Sequence, residues 1–185
     1  MALATILDPT SRRDDDIASP GPDAGGLTGK RIGFRVDQIW RAWDWISDDW
    51  AAQLRAAGCE TSFWRSTDRS GAEGDRMAAE LETWLGTLDA VVVGLANCGS
   101  CTGWTIRDSI TAANAGLPTV AIATKNFEDF AHEIAARGGR SGLRVHVLPY
   151  PLNEREKGSV MTVAATHFAG MLQTLGAQIE ARQAA

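Results

Sequence analysis

The segment that most restricts the fold is the apolar run from Leu88 to Leu95, with Ala90-Val91-Val92-Val93 at its centre. A run of this length with no alternating polar residues is the pattern of a strand covered on both faces, which is characteristic of parallel sheets. Its neighbours fit that setting. Arg31 to Val36, Cys59 to Trp64, Thr119 to Thr124 and Leu143 to Leu148 read as four further strands. Helical patterns fall between them, over Asp44 to Ala57 with Gly58 as its stop, from Gly71 and Gly74 through Trp84, and over Phe127 to Arg137. Another runs from about Thr105 to Ala115, opened by the capping-box pattern Thr105-Ile106-Arg107-Asp108 and closed by Gly116 and Pro118. A last, long helix is expected from Gly158 to about Arg182. Strict alternation of strand and helix with short connections predicts a doubly wound α/β fold, a mainly parallel five-stranded sheet with helices on both faces.

With 185 residues and 44% apolar content, one domain with a substantial core is the expectation, placed at residues 29–185. Residues 1–28, with Ser11-Arg12-Arg13-Asp14-Asp15-Asp16 and Ser19-Pro20-Gly21-Pro22, show no apolar periodicity and read as a mobile or partner-draped arm. The last helix carries Val160, Val163, Ala164, His167, Phe168, Met171, Leu172 and Leu175 on one face, a core or subunit interface. His167 inside that stripe reads as packing rather than as a catalyst. Trp40, Trp43, Trp45 and Trp50 are denser than packing requires, so part of that surface is expected to meet a ligand or another subunit. An oligomer, either of like chains or with a related subunit, is the expectation.

A net charge of -5 and three scattered histidines give no phosphate-binding face and no polybasic patch, so neither nucleic acid nor a membrane surface is an expected partner. No stretch approaches the roughly 20 apolar residues needed to cross a bilayer, and residues 1–28 lack the basic start and apolar core of a signal peptide. A cytoplasmic protein is expected. Gly94-Leu95-Ala96-Asn97-Cys98-Gly99 has the wrong glycine spacing for a phosphate loop or a dinucleotide fingerprint, and no cofactor is expected.

The chemistry centres on Asn97-Cys98-Gly99-Ser100-Cys101-Thr102, which follows the central strand and precedes a helix. Amide N–H groups and the positive end of the helix dipole converge at such a point. A thiol there is favoured as thiolate, the form that attacks substrates and exchanges disulfides. Cys98 is the candidate nucleophile. Its spacing lets Cys101 reach it and resolve a mixed disulfide or sulfenic acid, while Gly99 and Ser100 permit the tight turn. The plainer alternative is a pair of small buried residues at a strand end. Zinc would need two more ligands, and the chain has neither a second Cys-x-x-Cys nor a His pair, so no metal is expected. Cys59 reads as packing. In a parallel sheet the carboxyl ends of all strands share one edge, which brings Asp37, Thr124, Lys125 and Tyr150 toward the loop as substrate-binding candidates. Trp104 would wall an apolar or aromatic pocket, with Asn97, Gly99, Ser100 and Thr102 completing the substrate contacts.

The stretch Asp89-Ala-Val-Val-Val-Gly-Leu-Ala-Asn-Cys-Gly-Ser-Cys-Thr resembles the signature of the UGSC family, named for selenocysteine-Gly-Ser-Cys, with Cys98 where some members carry selenocysteine. Gly29-Lys30-Arg31-Ile32-Gly33, Gly116-Leu-Pro-Thr-Val and Leu148-Pro-Tyr-Pro-Leu extend the resemblance over most of the chain. Selenocysteine is used where a nucleophilic, readily oxidised chalcogen does the chemistry, so the resemblance implies that role for Cys98 and a supporting one for Cys101. The family is also similar to the substrate-activating selenoprotein of glycine reductase, which implies reductive cleavage of a carbon–heteroatom bond. A strand-Cys-Thr-helix arrangement further resembles aspartate/glutamate racemases and related lyases, which usually need a second thiol from a duplicated half that this chain lacks. The resulting expectation is a thiol-dependent oxidoreductase or lyase acting on a small organic substrate. The alternatives are a non-catalytic thiol carrier or binding subunit of a larger complex, a racemase-like isomerase, and an inert dimerisation module.

Overall fold

Ala90–Ala96, the heart of the apolar run, is the middle strand of the sheet and is buried at every position. In the computed structural model, which describes residues 13–178, the elements run β1 (Gly25–Gly26), β2 (Arg31–Val36), α1 (Arg41–Ala56), β3 (Glu60–Arg65), α2 (Gly71–Leu85) and β4 (Ala90–Ala96). They continue as α3 (Gly99–Asn114), β5 (Thr119–Thr124), one 3-10 turn (Lys125–Phe127), α4 (Glu128–Arg137), β6 (Val145–Leu148), α5 (Lys157–Thr174) and β7 (Ala177–Gln178). The main sheet has the order β3-β2-β4-β5-β6 and is parallel throughout. This is the doubly wound α/β fold.

Side-chain alternation along β4 divides the core in two. Ala90 and Val92 pack with Trp43, Ile46, Trp50, Val160 and Val163 of α1 and α5, whereas Val91 and Val93 pack with Met77, Leu81 and Leu85 of α2. A third cluster joins α3 and α4 to the strands through Ile106, Ala113, Ala131, Ala135, Ala121 and Ala123. Helices α1 and α5 thus cover one face, and α2, α3 and α4 the other. Right-handed crossovers require this division: the chain steps from β2 outward to β3, then returns past β2 to β4 and continues in that direction.

The tryptophans of α1 are chiefly core. Trp43 and Trp50 are fully buried, and the Trp50 indole N–H donates to the Ala164 carbonyl at 2.9 Å. Truncating a core tryptophan typically costs about 3–5 kcal/mol, so these two are major contributors to the fold. Trp45 points away from them and lies between the cations of Arg41 and Lys157. The α5 stripe is likewise covered within the chain, by the sheet and α1.

Most boundaries fall within three residues of expectation, and two differ more. Helix α3 opens at Gly99, six residues before the apparent capping box, which lies inside the helix; Thr105 is buried there and Asp108 serves ion pairs instead of a cap. Helix α5 ends at Thr174 because Gly176, at a φ of 68°, turns the chain so that residues 177–178 pair with 25–26 in a small parallel ribbon. Residues 179–182 of the expected helix, and 1–12 of the expected arm, lie outside the described residues. Residues 13–28 lie along the domain: the Ile17 amide donates to the Gly139 carbonyl at 3.0 Å, Arg144 holds the Pro22 carbonyl at 2.6 Å, and Ala24 and Leu27 are buried in the core. Among the described residues no helix is long and apolar enough to cross a membrane.

Candidate functional site

The Asn97–Thr102 loop is built by helix capping. Cys98 leaves β4 in extended conformation and is the N-cap of α3, its Sγ accepting the Cys101 amide N–H at 3.2 Å. The Thr102 amide and hydroxyl both donate to the Cys98 carbonyl, at 2.9 and 2.6 Å. Beneath the loop, the buried Thr124 hydroxyl at the end of β5 donates to Asn97 Oδ1 at 2.8 Å and fixes the turn to the neighbouring strand. Cys98 and Cys101 are joined as a disulfide with their Cα atoms 5.2 Å apart. Cys98 is the more accessible partner, half-buried, and its sulfur also lies 3.6 Å from Ser100 Oγ; Cys101 is buried.

The order of the sheet reverses between β2 and β4, and in open α/β sheets ligands bind in the crevice at the carboxyl end of such a switch point. A crevice of about 420 Å³ lies there. Its walls are Arg35 to Ile39 less Val36 from the end of β2, Ser66 to Arg69 after β3, and Ser100, Cys101 and Trp104 from the first turns of α3.

Behind it lies a buried network of charge. Asp108 of α3, 2% exposed, accepts from Arg35 Nε at 2.9 Å and from Arg69 Nη2 at 2.6 Å. Arg35, also 2% exposed, donates from Nη1 to the Gly94 carbonyl of β4 at 2.9 Å and lies 3.7 Å from Asp37 Oδ2. The other Asp37 oxygen accepts the amides of Ile39 and Trp40. Arg69 lies over the Trp104 and Trp64 rings at 4.8 and 5.6 Å. Asp108, Arg35 and Asp37 are each held by two or more polar partners, as buried ions require.

Of the residues anticipated from sequence, Asp37, Ser100, Cys101 and Trp104 meet in the crevice wall, with Cys98, Gly99, Asn97 and Thr102 forming the adjoining loop. Thr124 supports that loop from below. Lys125 and Tyr150 are not in the crevice wall. Lys125 is exposed and pairs with Glu128, which raises its pKa, so its charge is committed one helical turn away rather than to the thiols. Tyr150 follows β6, two strands from β4, and is 40% exposed with its ring edge-on to Phe127 at 6.2 Å. Arg35, Ser66, Arg69 and Asp108 escaped sequence reasoning. Arg35 alone left a trace, as a charge inside a strand otherwise buried after its first residue. Cys59 lies just before β3, at the opposite edge of the sheet, and burial pushes its thiol pKa up. A racemase-like pair of thiols on opposite faces of one substrate has no counterpart among the described residues.

The model of the UGSC family matches residues 5–177, a span that contains every strand of the sheet and the whole cysteine loop. The chain belongs to the UGSC family. In this UGSC protein the family motif is Cys98-Gly99-Ser100-Cys101, and the motif is the cap and first turn of α3. The comparison with curated proteins finds no match. Among solved structures the UGSC chain is similar to a flavo di-iron protein variant from Thermotoga maritima, at 10% identity and a TM-score of 0.47, over 77% of this chain and 37% of that one. It is also similar to a diflavin flavoprotein from Nostoc sp., at 9% identity and a TM-score of 0.47 over 80% and 94% of the two chains. A periplasmic binding ribose operon repressor protein from Lactobacillus acidophilus follows at 12% identity and 0.30 over 80% and 92%. The UGSC chain therefore spans little more than a third of the first of these. Scores and identities this low carry nothing over to its chemistry.

Proposed function

We propose that this UGSC protein is a thiol-dependent enzyme that reduces a small organic substrate by two electrons at the Cys98–Cys101 pair. The observation that carries the reading is the pair itself: two cysteines able to join as a disulfide, at the N-terminus of a helix, beside the crevice at the sheet's switch point. Once reduced, Cys98 has the Cys101 amide and the helix dipole to favour its thiolate, contributions of roughly 1.5–3 and 0.3–1 kcal/mol respectively. Its greater exposure makes it the attacking sulfur.

The step balances as follows. The Cys98 thiolate attacks an electrophilic carbon bearing a heteroatom group X, forming an S–C bond while the C–X pair leaves with X. The Cys101 thiolate then attacks the Cys98 sulfur, forming the disulfide and releasing the carbon fragment as a stabilised carbanion, which takes up a proton. Overall R–X and two thiols give R–H, H–X and one disulfide. A small dithiol or a thioredoxin-like protein, oxidised to its own disulfide, returns the pair to the reduced state. The reacting carbon must be flanked by a carbonyl or similar group for the carbanion to leave.

The test is turnover by the purified, reduced chain with a dithiol as the electron source, using mass spectrometry to find the substrate-derived adduct. Cys98→Ser is expected to abolish turnover with the protein still folded, and Cys101→Ser to accumulate the Cys98 adduct. At mildly acidic pH an alkylating reagent should label Cys98 before Cys101 or Cys59. Retained turnover in Cys98→Ser would end the assignment, and turnover that appears only on adding a second protein would make this chain a thiol carrier.

A further inference from the structure

Arg69 is a cation that the chain's own contacts leave unfinished. Its Nη2 is held by Asp108 at 2.6 Å and its plane is set against Trp104 and Trp64, with the side chain only 11% exposed. Nη1 is shut off from solvent and has no hydrogen-bond partner among the described residues. A guanidinium N–H with no acceptor is rare in folded proteins, and where one borders a crevice a ligand is the natural source of the missing acceptor. A guanidinium fixed on one side and stacked on an aromatic ring is preorganised for a planar anion.

The rest of the wall limits what that anion can be. Ser66 and Ser100 supply hydroxyls, and at the start of α3 the Gly99 and Ser100 amides have no acceptor within the helix, whereas those of Cys101 and Thr102 are taken by Cys98. Asp37 and Asp68 share the same wall, Asp68 with Oδ1 accepting from the Ser70 amide and hydroxyl. Asp108 already pairs with both guanidinia, and Asp37 and Asp68 add two further negative charges, so the wall opposes a phosphate dianion far more than a monoanion. Trp104 and Ile39, the latter 62% exposed at the rim, offer apolar surface to the remainder of the molecule.

We infer that the crevice recognises a small organic monocarboxylate with an apolar body, its carboxylate on Arg69 and its body against Trp104 and Ile39. The inference rests on the proposed function in treating the cysteine crevice as the substrate site, and it names the class of substrate. Recognition of the carboxylate does not itself need the thiols.

Full-length Cys98→Ser protein, which keeps an N-cap acceptor but cannot react, is titrated with phenylacetate, with 2-phenylethanol as its neutral counterpart, and with inorganic phosphate. Binding is followed by calorimetry. Saturable binding of phenylacetate is expected, with 2-phenylethanol at least about ten-fold weaker, a difference of about 1.4 kcal/mol. Adding Arg69→Lys, which retains a charge for Asp108 but has no second planar donor, should weaken phenylacetate by a similar factor and leave the alcohol unchanged. Equal binding of acid and alcohol, phosphate tighter than phenylacetate, an undiminished Arg69→Lys variant, or no saturable binding at all would each overturn the inference. The acid-against-alcohol comparison needs no change at Arg69, so it decides the matter even if Arg69→Lys fails to fold. Turnover by the wild type without carboxylate binding would sink this inference and leave the thiol chemistry standing; carboxylate binding without turnover would do the reverse.

Discussion

Sulfur is a weak hydrogen-bond acceptor, and oxygen-bearing residues lead the ranking of helix N-caps. Cys98 nevertheless holds that position, accepting the Cys101 amide at 3.2 Å. Capping therefore does not explain why the residue is cysteine. In the reduced protein Cys98→Ser should leave stability unchanged or slightly higher, whereas Cys98→Ala should cost about 1 kcal/mol through loss of the cap. Urea unfolding of the two variants under a reductant checks this, and a serine variant as unstable as the alanine one would show that the sulfur is there for packing. The sequence placed a cysteine at a strand end but left its role as the cap unread, because Thr105 and Asp108 offered a more conventional helix start.

At the level of elements, α3 is held by Asp108 as well as by the apolar burial of Ile106. Its face toward the sheet carries small residues, Ala112 and Ala113, and the Arg35–Asp108–Arg69 network joins it to β2, to the Gly94 carbonyl of β4 and to the segment after β3. Gly94 is the meeting point, since a side chain there would collide with the Trp43 indole of α1 on the sheet's other face. Removing Asp108 leaves two guanidinia without their shared carboxylate in a buried setting. Asp108→Ala should therefore lower stability by about 3–5 kcal/mol, the range for breaking a buried ion pair. Glu73→Ala, which breaks an exposed pair with Arg76 on α2, should produce no measurable change in the same denaturant titration. Similar effects from both would mean that the buried network contributes no more than surface charge.

Across the whole molecule, β6 and α5 close the sheet's edge through a histidine pair. His146 Nε2 lies 3.1 Å from His167 Nδ1, with Thr174 Oγ1 at 3.3 Å from the other His146 nitrogen and the Trp50 ring packed edge-on. Burial, and then the neighbouring His167, depress the His146 pKa to about 4, well below its ordinary 6.5. Between those values the unfolded chain binds more protons than the folded one. His146 therefore contributes its full share of stability above about pH 6.5 and loses it progressively as the pH falls toward 4. After allowance for its partial exposure to water, that loss should be about 2 kcal/mol. His146→Gln should flatten that part of the curve, measured as the difference in unfolding free energy between pH 7 and 4.5. A variant whose pH dependence matches the wild type would show that the pair is not responsible.

Hydrophobic period and run length are local properties of a chain, and they were enough to place the five strands and the helices between them, apart from the start of α3, and to give a mainly parallel sheet with the cysteine loop at the end of its central strand. Family resemblance, too, resides in a short contiguous motif. The crevice opposite the loop is assembled from positions 35–39, 66–69 and 100–104, which have no sequence relation to one another and meet only because the strand order reverses between β2 and β4. Burial of a charge is likewise a property of the assembled layers. Arg35 and Asp108 are separated by 73 residues, and although Arg35 shows as a charge within a strand, nothing local to either names its partner. Lys125 shows the converse, a residue near the right edge of the sheet whose charge is taken by Glu128 three residues on. The tertiary structure alone decided which of the charges at that edge face the thiols, because such choices depend on distance and dielectric surroundings that exist only after the layers have packed.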